Sequence, residues 1–244
     1  MRDGHTSQIL EALEGVVNIL EEIDPAHAFV LGDLIEDCGS TAADRANVEH
    51  VHEILQDAPF SVTYLLGNHD VEQLTRESLS SLLDQEQFYG VIEVNGTPII
   101  YLDSTIEQVD GARGRLGSDQ RAWLAEMLTQ YNKPLILIHH PLGNFDISDN
   151  EWFKNYPERA FLSDRKETLD ILEEAGPVLG TISGHIHQTQ FSKFREMPHV
   201  SINAFSKELP DKPLTGTFAE VRVGDRVNID TKIRRDVITS HTSI

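Results

Sequence analysis

The segment AFVLGDLIED, residues 28–37, is the clearest indication of the fold in this sequence. Its first part, residues 28–31, is a short apolar run that is typical of a buried strand, and Gly32 stops it. A glycine has no Cβ, so the backbone can turn sharply off the strand and direct the next side chain, Asp33, into a crevice. Apolar residues at helical spacing over residues 9–20 precede the strand. The sequence therefore predicts a helix that leads into a buried strand with an acidic residue at its end.

The alternation of helix and strand continues along the chain. Further buried strands are predicted over residues 61–66, 134–138 and 178–182, and a hairpin over residues 89–102 turns at Asn95-Gly96. From Gln188 onward, short alternating segments predict antiparallel strands and a tail, over residues 188–244. Alternating β and α units followed by hairpins predict an α/β fold with helices packed on a mixed sheet or sandwich, in one domain spanning residues 1–244.

Composition and charge exclude several classes of protein. The 20 basic residues stand against 40 acidic ones, and the net charge of −20 would repel a phosphate backbone, so a nucleic-acid duplex is not expected as a partner. No apolar run reaches the roughly 18 to 20 residues that span a bilayer, and the polar amino terminus is not typical of a signal peptide. A cytoplasmic protein without a membrane partner is expected. The single cysteine, Cys38, excludes an internal disulfide and a cysteine-rich zinc site.

Side chains that can bind metal follow four of the predicted strands directly. The four segments are Gly32-Asp33, Gly67-Asn68-His69-Asp70, His139-His140-Pro141 and Gly184-His185-Ile186-His187. In open α/β sheets, ligands gather at the carboxyl ends of the strands, so all four segments are expected to converge on one crevice. One such segment alone would be more typical of a turn or a helix cap. Four of them at successive strand ends indicate a metal site.

The residue types in this set point to a particular chemistry. Carboxylate, imidazole and amide ligands without a thiolate suit divalent ions of the Mn, Fe or Zn type, and an aspartate can bridge two ions. Two such ions polarise a phosphoryl group and lower the pKa of a shared water, so that a bridging hydroxide can attack phosphorus. A nearby histidine can protonate the leaving oxygen, and a carboxylate can hold its tautomer. His69 followed by Asp70 has that arrangement in the sequence, and both are candidate catalytic residues.

Taken together and in this order, GDLIED, GNHD, HHP and GHIH resemble the motifs of the calcineurin-like metallophosphoesterase family. The resemblance implies a four-layer αββα sandwich with two metals at its top edge. The metal ligands that it implies are Asp33, Asn68, His139, His185 and His187. By the same resemblance, Asp33 bridges both metals, Asn68 with His139 and His185 completes one site, and His187 joins the other. His69 would be the proton donor to the leaving group, and His140 would support the ligands or face the substrate.

The amino terminus departs from the family's pattern. The family opens with a β-strand that ends in Asp-x-His, and both side chains bind the metal that His187 also binds. Asp3-Gly4-His5 matches that sequence pattern, but the two residues before it are too few for a central strand of five or six residues. Two interpretations stay open. Either Asp3 and His5 are metal ligands in a remnant of the motif at residues 1–5, or this segment is a loop capped by Thr6 or Ser7 and the first strand is absent from this chain.

Two loops hold candidates for substrate binding. Arg113 and Arg115 lie in a glycine-rich loop and could clamp a substrate phosphate bidentately, although a solvated turn is the alternative. The long loop after His140 carries an aromatic and basic set that could cover the crevice and contact the leaving group, or anchor the loop to the core. The members of that set are Trp152, Phe153, Tyr156 and Arg159.

The expected function is metal-dependent hydrolysis of a small phosphorylated molecule. A phosphodiester is favoured because the chain has no large appended domain for protein or DNA substrates. A phosphomonoesterase is the near alternative. An alternative outside the enzymes is a catalytically impaired protein that binds metal or phosphate and has an incomplete first metal site. The positions of Asp3 and His5 distinguish this alternative from an active phosphoesterase. The sequence leaves the organic part of the substrate, the native metal and the oligomeric state open.

Overall fold

The computed structural model describes residues 3–106, 113–206, 216–224, 227–233 and 236–243. The α-helices within these residues are α1 (Asp3–Ile23), α2 (Thr41–Gln56), α3 (Arg76–Leu82), α4 (Gly117–Gln130) and α5 (Arg165–Glu174). The first strands along the chain are β1 (Ala28–Val30), β2 (Val62–Tyr64), β3 (Gly90–Val94), β4 (Thr97–Leu102), β5 (Leu135–Ile138) and β6 (Gly180–Ser183). The remaining strands are β7 (Gln190–Phe194), β8 (Met197–Ser201), β9 (Phe218–Val223), β10 (Val227–Ile233) and β11 (Asp236–Ser243).

The strands form one large sheet and two small ones. The six-stranded sheet has the order β3-β4-β5-β6-β8-β7, with a parallel centre and an antiparallel hairpin at each edge. The predicted hairpin turn is present: Asn95 and Gly96 both have positive φ, of 50° and 79°, as a tight two-residue turn requires. β1 pairs with β2 in parallel, and β9, β10 and β11 form an antiparallel sheet.

Alternating side chains of the large sheet face two different layers. In β4 and β5, Ile100 and Ile136 pack against apolar residues of α4 and α5, whereas Ile99 and Leu135 pack against the two small sheets. The period of two along a strand makes this division necessary. On the far side, α1, α2 and α3 pack against β1 and β2. The layers therefore follow the order helices, sheet, sheets, helices, as the αββα sandwich expected from the sequence requires.

The start of the chain differs from one expectation. The prediction of a loop that ends in a helix cap at Thr6 or Ser7 is wrong, because the backbone is already helical from Asp3. Helix propagation adds one hydrogen bond for each residue that is fixed, so α1 extends through Gly4 to the first described residue. No helix in the described ranges is long and apolar enough to cross a membrane.

A cavity of about 1740 Å³ lies between α1, the edge of β1 and β9. Its apolar walls include Leu13 of α1, Phe29 of β1, Leu135 of β5 and Val221 of β9. At one end the walls change from apolar to polar residues, namely Asp33, Asn68, His69, His139, His185 and His187. The cavity thus connects the apolar space between the sheets to the strand ends where the sequence predicts the metal site.

A buried histidine remote from these strand ends makes the stability depend on pH. His199 of β8 has no exposed surface, its Nε2 donates to the Phe194 carbonyl at 3.2 Å, and its Nδ1 accepts from the Thr181 hydroxyl at 2.7 Å. Burial lowers the pKa of His199 to about 4, whereas the unfolded value is about 6.5. The folded state therefore excludes a proton that the unfolded state accepts between these two pH values.

We expect the free energy of unfolding to fall as the pH drops from about 6.5 to about 4, with His199 contributing about 3 kcal/mol of the loss. Above pH 6.5 the imidazole is neutral in both states and the contribution is complete. Urea unfolding across this range should show a shallower pH dependence for His199→Gln than for the wild type. His50→Gln, at an exposed position, is the control. An unchanged slope in His199→Gln would contradict the assignment.

Candidate metal centre

The ends of β1, β2, β5 and β6 bring most of the predicted ligands to one place. The rings of His139, His140 and His185 have centroids 4.3 to 5.0 Å apart. All three side chains are buried, and their candidate ligand atoms lie within 4.8 Å of one another. Asp33, Asn68 and His187 line the same end of the cavity. Four segments that are far apart in the sequence therefore form one cluster.

Asp33 lies beside His139 of this cluster and has an unusual backbone conformation. Its φ is 52°, and Gly32 before it has a φ of 90°, so the chain turns abruptly off β1. Asp33 Oδ2 lies 3.3 Å from His139 Nε2, and Oδ1 accepts the His69 N–H at 3.0 Å. Burial alone would raise the pKa of Asp33, but the imidazoles of His139, His69 and His185 outweigh burial and lower it. Asp33 is therefore a partly buried carboxylate that stays ionised.

Gly67 allows β2 to approach Asp33. A Cβ built on Gly67 would overlap both the Oδ1 and the backbone nitrogen of Asp33. Since one contact is with backbone, the overlap could not be relieved by a rotamer change. The glycine of the GNHD motif is thus required for close approach between two strand ends rather than for a positive φ.

We expect Gly67→Ala to displace Asp33, lower the metal content and destabilise the fold by about 1 to 3 kcal/mol, as overpacking does. Elemental analysis and thermal unfolding measure the two effects. Gly224→Ala is the matched control, because a Cβ there meets no atom within 4 Å. Wild-type metal content in Gly67→Ala would refute the steric argument.

The role expected for Asp70 is corrected. Asp70 is fully buried and accepts the backbone N–H groups of Asp33 and Gly67, each at 2.8 Å, and of Ile35 at 3.4 Å. Burial and the charge of Asp33 raise the pKa of Asp70, while these N–H groups oppose the rise. The carboxylate therefore ties the ends of β1 and β2 together and does not orient the His69 imidazole.

Asp37 orients His69 instead. His69 Nδ1 donates to Asp37 Oδ2 at 3.0 Å, which leaves Nε2 to face a reacting group. Burial would lower the pKa of His69, but the charge of Asp33 and the hydrogen bond to Asp37 outweigh it and raise the pKa. Sequence reasoning missed Asp37, although the second aspartate of GDLIED was a visible signal.

The second ring nitrogens of two histidines are fixed by backbone carbonyls. His139 Nδ1 donates to the Leu31 carbonyl at 2.7 Å, and His185 Nε2 donates to the Arg159 carbonyl at 2.9 Å. Histidines that bind metal usually donate their other N–H in this way, since it fixes the tautomer and leaves a lone pair toward the ion. Burial and the charge of His139 lower the pKa of His185, so its imidazole stays neutral as a ligand must.

Two buried polar atoms in this cluster lack a hydrogen bond within the described part of the chain. They are Asn68 Oδ1 and His139 Nε2. Buried polar atoms are rarely left unpaired, because each costs about 1 to 3 kcal/mol. A divalent ion that accepts oxygen and imidazole ligands would satisfy both atoms, so the residues present fit a metal of this kind.

His140 is held from behind by residues that the sequence did not single out. Its Nδ1 lies 2.7 Å from Ser104 Oγ, and Gly114 packs so closely on the ring that a Cβ there would overlap it. Ser104 is the second residue after the end of β4, at the same edge of the sheet, and this position was the available signal. His140 is fully buried and belongs to the cluster of three histidines, close enough to be a ligand itself.

The remaining candidates are less central. Arg113 and Arg115 do not line the cavity, and the Arg115 N–H donates to the Ser104 carbonyl at 2.7 Å, so the loop supports His140. Asp3 and His5 lie in the first turn of α1, and their side chains are outside the described part of the structure. His187 lines the cavity, with a φ of 51°.

Comparison with known proteins gives a matching picture. The calcineurin-like phosphoesterase family matches residues 3–189, which is most of the chain and includes all four motifs. A Synechococcus protein named as a probable cyclic nucleotide phosphodiesterase is 29% identical over 172 residues, or 69% of this chain. The aligned part spans 60% of that relative's own length.

Solved structures show the same fold. A dimetal phosphatase from Danio rerio superposes with a TM-score of 0.76 at 15% identity, over 96% of this chain and 88% of the other. The protein TT1561 of Thermus thermophilus superposes with a TM-score of 0.55 at 14% identity, over 93% of this chain and 94% of the other. The matched family, the order of the motifs and the cluster at the strand ends agree: this chain belongs to the calcineurin-like phosphoesterase family of metal-dependent hydrolases.

Proposed function

We propose that this protein hydrolyses a small phosphodiester with the help of two divalent ions of the Mn, Fe or Zn type. The observation that carries the proposal is the buried cluster of oxygen and imidazole ligands whose Asn68 and His139 atoms lack hydrogen-bond partners within the described residues. Beside it, His69 and Asp37 form a hydrogen-bonded pair at 3.0 Å. Ligands and a positioned proton donor together are what phosphoester hydrolysis needs.

The candidate ligands would divide between two ions. Asn68, His139 and His185 would hold one ion, Asp33 would bridge, and His187 would belong to the second. When bound, the ions would supply a polarised phosphoryl group and a water of lowered pKa that attacks phosphorus as hydroxide. The partial burial of Asp33 strengthens its attraction to cations, because the local dielectric constant is lower than in water.

His69 would protonate the oxygen that leaves phosphorus. Its Nδ1 is committed to Asp37, so the proton would come from Nε2. Asp37 stabilises the imidazolium and keeps the ring from turning. The side chains of His69 and Asp37 are 38% and 29% exposed, which leaves the pair accessible to a substrate from the cavity.

A phosphodiester is preferred over a monoester for two reasons. The Synechococcus relative carries a name that describes a diester substrate. In addition, neither Arg113 nor Arg115 lines the cavity, so the bidentate clamp that would suit the extra charge of a monoester is not formed there. We also propose that residues 1–244 act as one domain.

Metal content together with hydrolysis tests the proposal. We expect the purified chain, reloaded with Mn²⁺, to bind two ions by elemental analysis and to hydrolyse bis(4-nitrophenyl) phosphate faster than 4-nitrophenyl phosphate. Faster hydrolysis of the monoester would favour a phosphomonoesterase. One ion or none, without hydrolysis of either ester, would favour the protein that only binds metal or phosphate.

The double variant Asp3→Ala, His5→Ala tests the first motif separately. If Asp3 and His5 are ligands, as the Asp-x-His pattern of the segment implies, this variant should lose one of the two ions. The other ion should stay bound to Asn68, His139 and His185. If two ions remain bound, Asp3 and His5 are not ligands, and the helical start of α1 has no part in the site.

A further inference from the structure

An exposed tryptophan stands at the rim of the metal centre. Trp152 is 60% exposed, lines the cavity, and its ring centroid lies 6.0 Å from that of His187 in an edge-to-face arrangement. The large apolar side chains that are exposed in the described part of the chain are Ile106, Trp152, Tyr156 and Phe191. Two of these four, Trp152 and Tyr156, lie in the segment between β5 and α5.

The backbone under Trp152 is fixed to the strand end that carries the histidines. Asn150 is buried, its Nδ2 donates to the Ile186 carbonyl at 2.7 Å, and its Oδ1 accepts the N–H groups of Trp152 and Phe153 at 3.0 and 3.1 Å. Ile186 lies between His185 and His187 in the sequence. The position of the Trp152 backbone relative to both histidines is therefore set by one buried side chain.

Phe153, and not Trp152, anchors the loop between β5 and α5 to the core. Phe153 is 6% exposed and its ring lies 4.8 Å from that of His185. It also packs with Phe145, Ile147 and Ile186 in a small apolar cluster. Since that cluster holds the loop without Trp152, the exposed indole is not needed for packing.

The same rim carries a cation. Arg159 lines the cavity, its carbonyl accepts from His185, and its guanidinium lies 4.5 Å from the centre of the Tyr156 ring. In a protein of net charge −20, a cation at this rim favours an anionic ligand locally. An aromatic face and a cation next to a candidate metal centre suit an anion that carries a planar ring.

We propose that Trp152 is a stacking platform for a nucleobase carried by the phosphodiester. The inference rests on the proposed function and names its substrate class: diesters in which a purine or pyrimidine lies within reach of the reacting phosphorus. A base offers a planar π-face to the exposed indole, and stacking of this kind tolerates different bases. The platform contributes to binding of the substrate and takes no part in the chemical step.

The kinetic test compares two substrates that share the reacting group. Adenosine 3′,5′-cyclic phosphate carries a base, and 1-O-methylribose 3′,5′-cyclic phosphate has a methoxy group in its place. We expect wild-type kcat/KM to favour the base-bearing diester by about tenfold, and Trp152→Ala to reduce that preference to about twofold or less, mainly through KM. Phe191→Ala is the matched control, because Phe191 is 50% exposed and does not line the cavity. It should keep the preference.

A binding test does not depend on turnover. The chain has two tryptophans, so Trp123→Phe leaves Trp152 as the remaining fluorophore of that type. We expect saturable quenching of its fluorescence by the base-bearing diester and none by the other. A Trp152→Ala enzyme that keeps the preference, or a Trp152 emission unaffected at concentrations around KM, would overturn the proposal. If neither diester is hydrolysed but quenching is seen, the proposed function fails while the platform stands.

Discussion

We expect Asp33→Asn to lose both metal ions and to lower turnover by at least about a hundredfold. Removing a group that only supports a metal ligand already costs about 10- to 100-fold. Asp33 is the one carboxylate among the clustered ligands that the described structure places against His139, at 3.3 Å. The amide keeps the shape of the side chain but removes the charge that the surrounding imidazoles stabilise. The NH₂ group of the introduced asparagine cannot bind a metal ion, and it cannot accept the His69 N–H as the Asp33 oxygen does.

Elemental analysis of Mn²⁺ per chain is the direct measurement for Asp33→Asn. Asp57→Asn, at an exposed position after α2, is the control and should keep wild-type metal content and turnover. Circular dichroism shows whether Asp33→Asn is folded. A folded variant with unchanged metal content would refute the bridging role of Asp33.

His69→Ala is expected to slow turnover by about 10²- to 10⁴-fold and to leave the metal content as it is. His69 contacts Asp33 through its backbone N–H, which alanine keeps, and its ring is bound to Asp37 and not to the cluster of ligands. Loss of metal from this variant would show that His69 is a ligand.

The leaving group separates proton donation from other roles of His69. A 4-nitrophenolate leaves without protonation, whereas an alkoxide needs a proton, so the defect of His69→Ala should be much smaller for an aryl diester than for an alkyl diester. Asp37→Asn should show the same dependence at a smaller magnitude, since the ring would lose its orientation but keep its nitrogen. An equal defect on both diesters would exclude His69 as the proton donor.

The position of the candidate metal centre could be predicted from the sequence because it depends on local signals. The run of residues 28–31 stops at Gly32, and the run before His139 stops at the histidines themselves. Apolar runs predict buried strands, and parallel strands end at one edge of a sheet. Order along the chain and strand direction were therefore enough to bring Asp33, Asn68, His139 and His185 to the same end of the cavity.

The start of α1 and the hydrogen-bond partner of His69 could not be predicted from local sequence patterns. Asp3 to Ile23 is one helix, so the caps expected at Thr6 or Ser7 do not form. Asp70 follows His69 in the sequence, yet its carboxylate turns back under the strand ends and accepts three backbone N–H groups. Adjacent residues do not share a direction, and the need to pair buried N–H groups took precedence.

The strand ends, the family motifs and the candidate ligands could all be predicted from the amino-acid sequence, because each depends on residues that are neighbours along the chain. Three contacts depend on how the chain packs in three dimensions: Asp37 orients His69, Ser104 contacts His140, and Asn150 positions the backbone of Trp152. The first two of these contacts join residues 32 and 36 positions apart. The hydrophobic periodicity of the sequence does not predict such pairs. They form because the packed layers bring particular buried donors and acceptors within hydrogen-bond distance.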